Sequence, residues 1–260
     1  MLKIDKPLEK CRILVTNDDG INAPGLKVLE KIARALSKDV WVVAPEQNQS
    51  GSAHSLTLRS PLRLREVSKR RYAVDGTPTD CVLLAVNQLL KDHKPDLVLS
   101  GVNRGANMAE DVTYSGTIAA AMEGTLLGLP SIALSQAIAW KHAPKWSTAE
   151  QHGPEIIRKV LDVGWPKGVL INLNFPDTGG QGVKGVRLAR QAQRQIGSAV
   201  QPGTDPYGNP YYWVGLIKSE EEAKAGSDLA AVRDGYIAIT PIHMDMTHAA
   251  TLKALQTVLD

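Results

Sequence analysis

The chain has 260 residues, a formal net charge of +3 and two cysteines, Cys11 and Cys81. This length suits one large α/β domain with a full hydrophobic core. The small positive charge does not favour a nucleic-acid-binding protein, and two cysteines offer no thiolate metal motif. No apolar run approaches membrane-spanning length, and residues 1–10 lack the apolar stretch of a signal peptide, so we expect a cytoplasmic protein.

The first predicted strand ends in an acidic turn. Residues 13–15 are Ile-Leu-Val, which is typical of a buried parallel strand, and Asn17, Asp18, Asp19 and Gly20 follow. A helix is expected from Pro24. Adjacent carboxylates at the carboxyl end of a strand repel each other and are costly to bury unless a cation compensates them. Asp18 and Asp19 therefore predict a divalent-metal site, and a turn with local Asp and Asn hydrogen bonds is the alternative.

The next segments continue the α/β pattern. Residues 40–44 predict a second buried strand, and its polar loop, residues 46–55, lies at a strand tip, which favours a functional role. Residues 59–71 carry six basic side chains. Their loose alternation indicates a solvated hairpin with a basic edge, and a nucleic-acid patch is the alternative. Thr77 and Asp80 form a capping-box pattern for a helix to about residue 90.

A third predicted strand, residues 95–100, leads into a segment rich in glycine and asparagine, residues 101–107. Ser115, Gly116 and Thr117 then precede a helix of small residues over 118–127. Free backbone N–H groups beside two hydroxyls at a helix start favour an anion site. Ordinary capping of the helix by Ser115 is the alternative.

The later part of the chain changes in character. Strands are expected at residues 131–135 and 169–174, with a helix at 148–161 between them. Beyond residue 177 a Gly-rich, aromatic hairpin with a strand at 211–216 indicates an arm or interface element. A strand at 186–191, a short helix at 227–233, a strand at 236–240 and a terminal helix at 248–259 complete the prediction.

Three strand tips together supply hard oxygen ligands. Asp18 and Asp19 follow the first strand, Ser50 the second and Asn103 the third. Carboxylates, a hydroxyl and an amide oxygen suit Mg²⁺ or Mn²⁺ rather than zinc. A hard cation beside an anion-binding helix start is the architecture of phosphoryl transfer to water.

Several runs of the sequence resemble the survival protein E (SurE) family of 5′/3′-nucleotidases. These runs are residues 15–20, 44–58, 75–78, 100–124, 172–176 and 235–241. The resemblance spans nearly the whole chain and implies a metal-dependent nucleoside monophosphate phosphatase of the α/β class. It implies a Rossmann-like, three-layer core with a mainly parallel sheet in residues 1–176. Residues 177–260 would complete the same domain with a hairpin arm, a strand and a last helix that exchange between subunits of a homodimer or homotetramer.

The resemblance also carries roles onto individual residues. It assigns a divalent metal cation, Mg or Mn, to Asp18, Asp19, Ser50 and Asn103, which all match the family pattern. The chain departs from that pattern at Ala109, where a glycine is expected, and at His54, where a small polar residue is usual. These departures concern substrate preference more than chemistry, because neither is a ligand position. The residues before Cys11 extend the usual start.

The expected reaction is direct hydrolysis of nucleoside 5′-monophosphates, and of 3′-monophosphates, by a metal-activated water. Asn107 and the helix start at Ser115, Gly116 and Thr117 would neutralise charge on the phosphoryl oxygens. The general acid is not assigned. Its candidates are His54, His243 and His248.

Other classes fit the motifs less well. An α/β hydrolase needs a Gly-x-Ser-x-Gly elbow, and a dinucleotide-binding enzyme needs Gly-x-Gly-x-x-Gly after the first strand. Phosphatases with an aspartyl intermediate use two carboxylates one residue apart, whereas Asp18 and Asp19 are adjacent. A Mg²⁺-binding receiver domain is the remaining alternative, but it needs a phosphorylatable aspartate at the third strand tip, where this chain has Asn103.

Overall fold

A nine-stranded, mostly parallel sheet with helices on both faces organises the computed structural model, which describes residues 1–138, 143–178, 182–193, 196–218 and 223–259. The strands are β1 (Arg12–Thr16), β2 (Asp39–Pro45), β3 (Leu64–Ser68), β4 (Arg71–Val74), β5 (Leu97–Arg104), β6 (Ser131–Gln136), β7 (Val169–Phe175), β8 (Val186–Leu188), β9 (Ile196–Thr204), β10 (Pro210–Lys218) and β11 (Ile237–His243). The helices are α1 (Pro24–Leu36), α2 (Pro78–Leu84), α3 (Gly116–Leu126), α4 (Ser147–Val163), α5 (Asp228–Arg233) and α6 (Ala249–Leu259).

The strand order creates a crevice beside β1. The order is β3-β4-β2-β1-β5-β6-β7-β11-β8, and its neighbours are parallel except at β3/β4 and β7/β11. The chain leaves β1 towards β2 on one side and later returns to β5 on the other. Ligands of open α/β sheets bind at such a switch point, outside the carboxyl ends of the strands.

Both faces of the sheet are buried. Ile13 and Val15 of β1 belong to the same apolar cluster as α1 and α4, whereas Leu14 packs with α2 and α3 on the opposite face. Because neighbouring residues of a strand point to opposite faces, an uninterrupted apolar run is what a strand covered on both sides requires. None of the described helices is both long and apolar enough to cross a membrane.

The predicted α/β class is confirmed, and the differences in detail are local. β3 and β4 form the expected hairpin at the sheet edge. β5 continues to Arg104, past the predicted end at residue 100, with a register shift against β6 between Ser100 and Asn103. The aromatic strand β10 pairs with β9, a strand that the sequence pattern did not reveal, in a separate antiparallel ribbon.

Helix α1 approaches β5 so closely that only glycine fits between them. A Cβ added to Gly25, in the first turn of α1, would collide with the carbonyl oxygen of Val102 in β5. A backbone carbonyl inside a sheet cannot rotate away as a side chain can. The position of α1, and thereby the entrance to the crevice, depends on this contact.

We expect Gly25→Ala to destabilise the fold by about 1–3 kcal/mol, the usual effect of overpacking. Gly153→Ala in α4 is the comparison, because the nearest neighbours of its new Cβ would be side-chain atoms of Ile32, at 3.0–3.5 Å, and not backbone. Pro154 follows and disfavours the helical conformation for a larger preceding residue, so we expect a smaller loss of stability than for Gly25→Ala rather than a gain. Urea unfolding of both variants measures the difference, and equal stabilities would contradict the proposed role of Gly25.

Candidate active site

Asn17, and not the acidic pair, closes the turn after β1. Its Oδ1 accepts a hydrogen bond from the Gly20 N–H at 3.2 Å, and its Nδ2 donates to the Gly20 carbonyl at 3.1 Å. Gly20 has a φ of +102°, which favours glycine, and the Ile21 N–H donates to the Pro45 carbonyl at 2.8 Å. The turn interpretation therefore accounts for Asn17 and Gly20 but assigns no part in closing the turn to either carboxylate.

Asp18 is buried against the start of helix α3. Only 4% of Asp18 is exposed, and its Oδ1 accepts a short hydrogen bond from the Thr117 hydroxyl. The Thr117 backbone N–H also donates to this carboxylate. A Cβ on Gly116 would lie 2.7 Å from the Cβ of Asp18, so this helix start needs glycine. The carboxylate thus lies at the positive end of the helix dipole.

Burial disfavours the ionised form of both carboxylates. It raises the pKa of Asp18 from 3.8 to about 6, and the charge of Asp19 adds to this rise while the Thr117 hydrogen bonds oppose it. Burial also raises the pKa of Asp19, partly offset by the Arg104 N–H and the Arg104 charge. Such a pair gains from a cation that compensates the desolvated charges.

The loop after β2 brings Ser50 next to the acidic turn. The N–H of Gln49, its neighbour, donates to the backbone carbonyl of Asp18 at 2.8 Å. The loop is held further along where the Ala53 N–H donates to the Tyr114 carbonyl at 3.3 Å. Ser50 itself is exposed, and its N–H donates to Asn48 Oδ1 at 2.7 Å.

Asn103, near the end of β5, lies beside the same acidic turn. The N–H of the following residue, Arg104, donates to Asp19 Oδ2 at 3.3 Å. Asn103 Nδ2 donates to the Gly105 carbonyl at 3.0 Å, which leaves its Oδ1 to accept or to bind a cation. The three segments that carry the predicted ligands are therefore joined by hydrogen bonds to Asp18 and Asp19.

The donor set fits a hard divalent cation. The buried carboxylate of Asp18, the half-buried carboxylate of Asp19, a carboxamide oxygen and a hydroxyl are all oxygen ligands of the kind that Mg²⁺ and Mn²⁺ prefer. Within the described residues no group of three or more His, Cys, Asp or Glu side chains could hold a metal ion. A site of this type would accordingly depend on Ser50 and Asn103 as well as on Asp18 and Asp19.

Asn107 is fixed by a buried carboxamide network that sequence reasoning missed. Its carbonyl accepts from Asn172 Nδ2 at 2.9 Å and Asn174 Nδ2 at 3.0 Å, and its N–H donates to Asn174 Oδ1 at 2.9 Å. Its own Nδ2 donates to Ser135 Oγ at 2.8 Å. Buried amides are tolerated when they are bonded in this way. The available signal was two asparagines, two residues apart, in the otherwise apolar strand β7.

The backbone at Ala109 has a conformation that favours glycine, the residue expected there from the family pattern. It has a φ of +52°, a conformation that side chains other than glycine rarely adopt. Its N–H donates to Asp228 Oδ2 at 3.0 Å, and its carbonyl accepts from Gln191 Nε2 at 2.8 Å. Asp228, which is fully buried, also accepts from the Ala192 N–H at 3.0 Å. These bonds connect the loop after Asn107 to the C-terminal part of the chain.

The histidine candidates separate in space. His54 Nε2 lies 3.0 Å from Glu123 Oε2 on α3, so this side chain also holds the Ser50 loop. His243 pairs with Val169, the first residue of β7, at the amino edge of the parallel strands, whereas Asp18 follows the carboxyl end of β1. The length of a strand therefore separates His243 from Asp18, and its candidacy as general acid within this chain is wrong. His248 Nδ1 contacts Thr251 Oγ1 at 2.6 Å.

The helix start at Ser115 combines both interpretations made from the sequence. Ser115 Oγ accepts from the Ile118 N–H at 3.1 Å, which is ordinary capping. Thr117 directs its hydroxyl and N–H to Asp18, a contact that the sequence did not predict, and is itself fully buried. This contact engages the Thr117 hydroxyl with a carboxylate of the protein. The roles of Ser115, Gly116 and Thr117 at a phosphate stay a prediction.

Fold and site together define a doubly wound α/β protein with a pair of desolvated carboxylates, Asp18 and Asp19, at its switch point. The chain belongs to a known family: the family described as Survival protein SurE matches residues 13–198. A curated relative from Paramagnetospirillum magneticum named 5′-nucleotidase SurE is 59% identical over 95% of both chains. One of the same name from Parvibaculum lavamentivorans is also 59% identical, over 95% of this chain and 91% of its own. A crystal structure of the SurE protein from Aquifex aeolicus matches with a TM-score of 0.82 at 40% identity, covering 96% of this chain and all of that one.

The raised pKa of Asp18 predicts an unusual dependence of stability on pH. In metal-free protein the native state binds more protons than the unfolded state between about pH 4 and pH 6, so stability should fall as pH rises through that range. Asp18→Asn removes the effect. In chelator it should be more stable than the wild type above about pH 6, by on the order of 3 kcal/mol at 1.36 kcal/mol per pKa unit, and close to it at about pH 4.

Asp39→Asn provides a control of opposite sign. Burial alone would raise the pKa of Asp39, but hydrogen bonds from Arg12 and Trp41 and the charges of Arg12 and Arg70 lower it overall. Its ionised form therefore stabilises the fold, and Asp39→Asn should lose stability at neutral pH. Urea unfolding across this pH range tests both variants. An Asp18→Asn protein that is less stable than the wild type at neutral pH would contradict the account of Asp18.

Proposed function

We propose that this chain is a 5′-nucleotidase that hydrolyses nucleoside 5′-monophosphates, and also 3′-monophosphates, to nucleoside and phosphate. The observation that carries the proposal is the desolvated carboxylate of Asp18 at the switch point of the sheet, with the start of α3 packed against it. The names of the relatives in the same family support the choice of substrate. The matched family region includes Asp18, Asp19, Ser50 and Asn103.

The proposed cofactor is Mg²⁺ or Mn²⁺, held by Asp18, Asp19, Ser50 and Asn103. When bound, such a cation neutralises phosphate charge and lowers the pKa of a water molecule. Thr117 contributes by orienting the Asp18 carboxylate with two hydrogen bonds, so that little reorganisation is needed on binding. The Gln49 and Arg104 N–H groups hold the segments of Ser50 and Asn103 against the acidic turn.

The remaining polar groups are proposed to bind the phosphoryl group. Asn107 donates one amide hydrogen to Ser135 and has a second to offer, and its backbone is fixed by Asn172 and Asn174. Ser115 and the N–H of Gly116 lie at the start of α3, next to Asp18. In the reaction a water oxygen bonds to phosphorus, the ester P–O bond breaks, and the departing nucleoside oxygen takes up a proton.

Two exposed apolar elements support the proposal that the enzyme is a homodimer or homotetramer. In the β9–β10 ribbon the exposed aromatic residues include Tyr212, 64% exposed, and Trp213, 71% exposed. Helix α6 has no buried residue in the described chain, and its Leu255 is 52% exposed. Apolar area of this extent on a single chain is typical of a surface that a partner covers.

Phosphate release from a panel of nucleoside 5′- and 3′-monophosphates tests the activity. We expect chelator to abolish release and Mg²⁺ or Mn²⁺ to restore it, since the predicted ligands are all oxygen atoms. Asp18→Asn should lower turnover by roughly 1,000-fold or more while the protein stays folded. Ser50→Ala should lower turnover by only about tenfold, because a water molecule can replace a neutral hydroxyl as a ligand.

Asp162→Asn on the exposed face of α4 is the matched control and should leave turnover unchanged. Full activity in excess chelator after dialysis would rule out the metal. Near-normal turnover by Asp18→Asn would mean that the site lies elsewhere.

Light scattering at micromolar concentration tests the assembly. We expect at least a dimer, and we expect Trp213→Glu and Leu255→Glu to weaken it, because each places a charge in an apolar interface. Val163→Glu at the end of α4 is the control, since Val163 is 69% exposed but lies outside the ribbon and α6. A wild-type monomer would defeat the proposal.

A further inference from the structure

The side chain of Arg104 lies at the mouth of the site and, unlike its backbone, takes no part in holding the fold together. It is the last residue of β5, directly after Asn103, and is exposed. Its backbone N–H donates to Asp19 Oδ2 at 3.3 Å, and the charge of its guanidinium acts on the Asp19 carboxylate. In the described chain no hydrogen bond or ion pair engages this guanidinium, whereas Arg12, Arg65 and Arg71 are all paired with carboxylates.

The charges at the site leave a phosphate group undercompensated. Asp18 and Asp19 together balance one divalent cation, so the two negative charges of a phosphate monoester would need other positive groups. The start of α3 supplies a partial charge of about half a unit, and Asp18 already takes up two of its donors. Among the described residues, Arg104 is the cationic side chain whose charge acts on this carboxylate pair.

The chemistry of the side chain suits this task. A guanidinium presents several donors in a planar fork that matches two oxygens of a phosphate. An exposed arginine also keeps most of its hydration until substrate arrives, so it imposes little desolvation cost on the free enzyme. Its backbone is already fixed by Asp19, and only the side chain needs to move.

We propose that Arg104 is a substrate-binding residue whose guanidinium contacts the phosphoryl group of the substrate. The inference rests on the proposed phosphatase function. The proposed contact is with the phosphate and not with the base or the sugar. Arg104 should therefore bind every phosphate monoester that the site accepts.

Steady-state kinetics of Arg104→Ala and Arg104→Lys test the proposal with two substrates, a nucleoside 5′-monophosphate and p-nitrophenyl phosphate. Loss of a charge-assisted contact should lower kcat/KM by about tenfold to a hundredfold for both substrates, with partial rescue in Arg104→Lys. The inhibition constant of inorganic phosphate should rise by a similar factor. Mn²⁺ binding should not weaken, since the variant removes a positive charge from beside the metal ligands.

Arg34→Ala is the control, because it removes the same charge from an exposed position at the far end of α1. A loss with the nucleotide alone would overturn the proposal in favour of contact with the base or sugar. Unchanged phosphate inhibition, or a loss explained by weaker Mn²⁺ binding, would overturn it too. If the wild type cleaved only p-nitrophenyl phosphate, the nucleotidase assignment would fail while the test of Arg104 remained valid.

Discussion

The contact between Asp18 and the first turn of α3 is the constraint on which the rest of the site depends. Gly116 lets the helix approach β1, and Thr117 then binds the carboxylate through its hydroxyl and its N–H. The same aspartate accepts from Gln49 through its backbone carbonyl. One residue thereby fixes the end of a strand, the start of a helix and the loop that carries Ser50.

This arrangement stores unfavourable electrostatic energy in the free protein. A carboxylate with a pKa near 6 is partly protonated in mildly acidic solution, and its ionised form is poorly solvated where it lies. Groups held in such environments are typical of functional sites, where binding a ligand of opposite charge relieves the cost. A buried hydrogen-bond network with Asn172 and Asn174 fixes the backbone of Asn107.

Much of the fold could be predicted from local pattern. The apolar run before Asp18, the capping box at Thr77 and the small-residue helix after Ser115 all indicate the correct elements. The extension of β5 to Arg104 could not be predicted in this way. It accompanies a register shift against β6, which is a property of strand pairing and not of local sequence. Asp228 binds Ala109 and Ala192 across long separations in the chain, and no spacing rule reveals such contacts. The polar residues at three strand tips and the family resemblance both indicated the ligand set, whereas the contacts of Thr117 and Asn174 became apparent only from the coordinates.

Thermal unfolding at increasing Mn²⁺ concentration tests most directly whether Asp18 is the centre of a metal site. A ligand that binds only the native state adds about 1.4 kcal/mol of stability per tenfold rise in concentration above its dissociation constant. We expect Mn²⁺ to raise the melting temperature of the wild type and of Asp162→Asn accordingly, and to raise that of Asp18→Asn little or not at all. Equal stabilisation of Asp18→Asn and wild type by Mn²⁺ would contradict it.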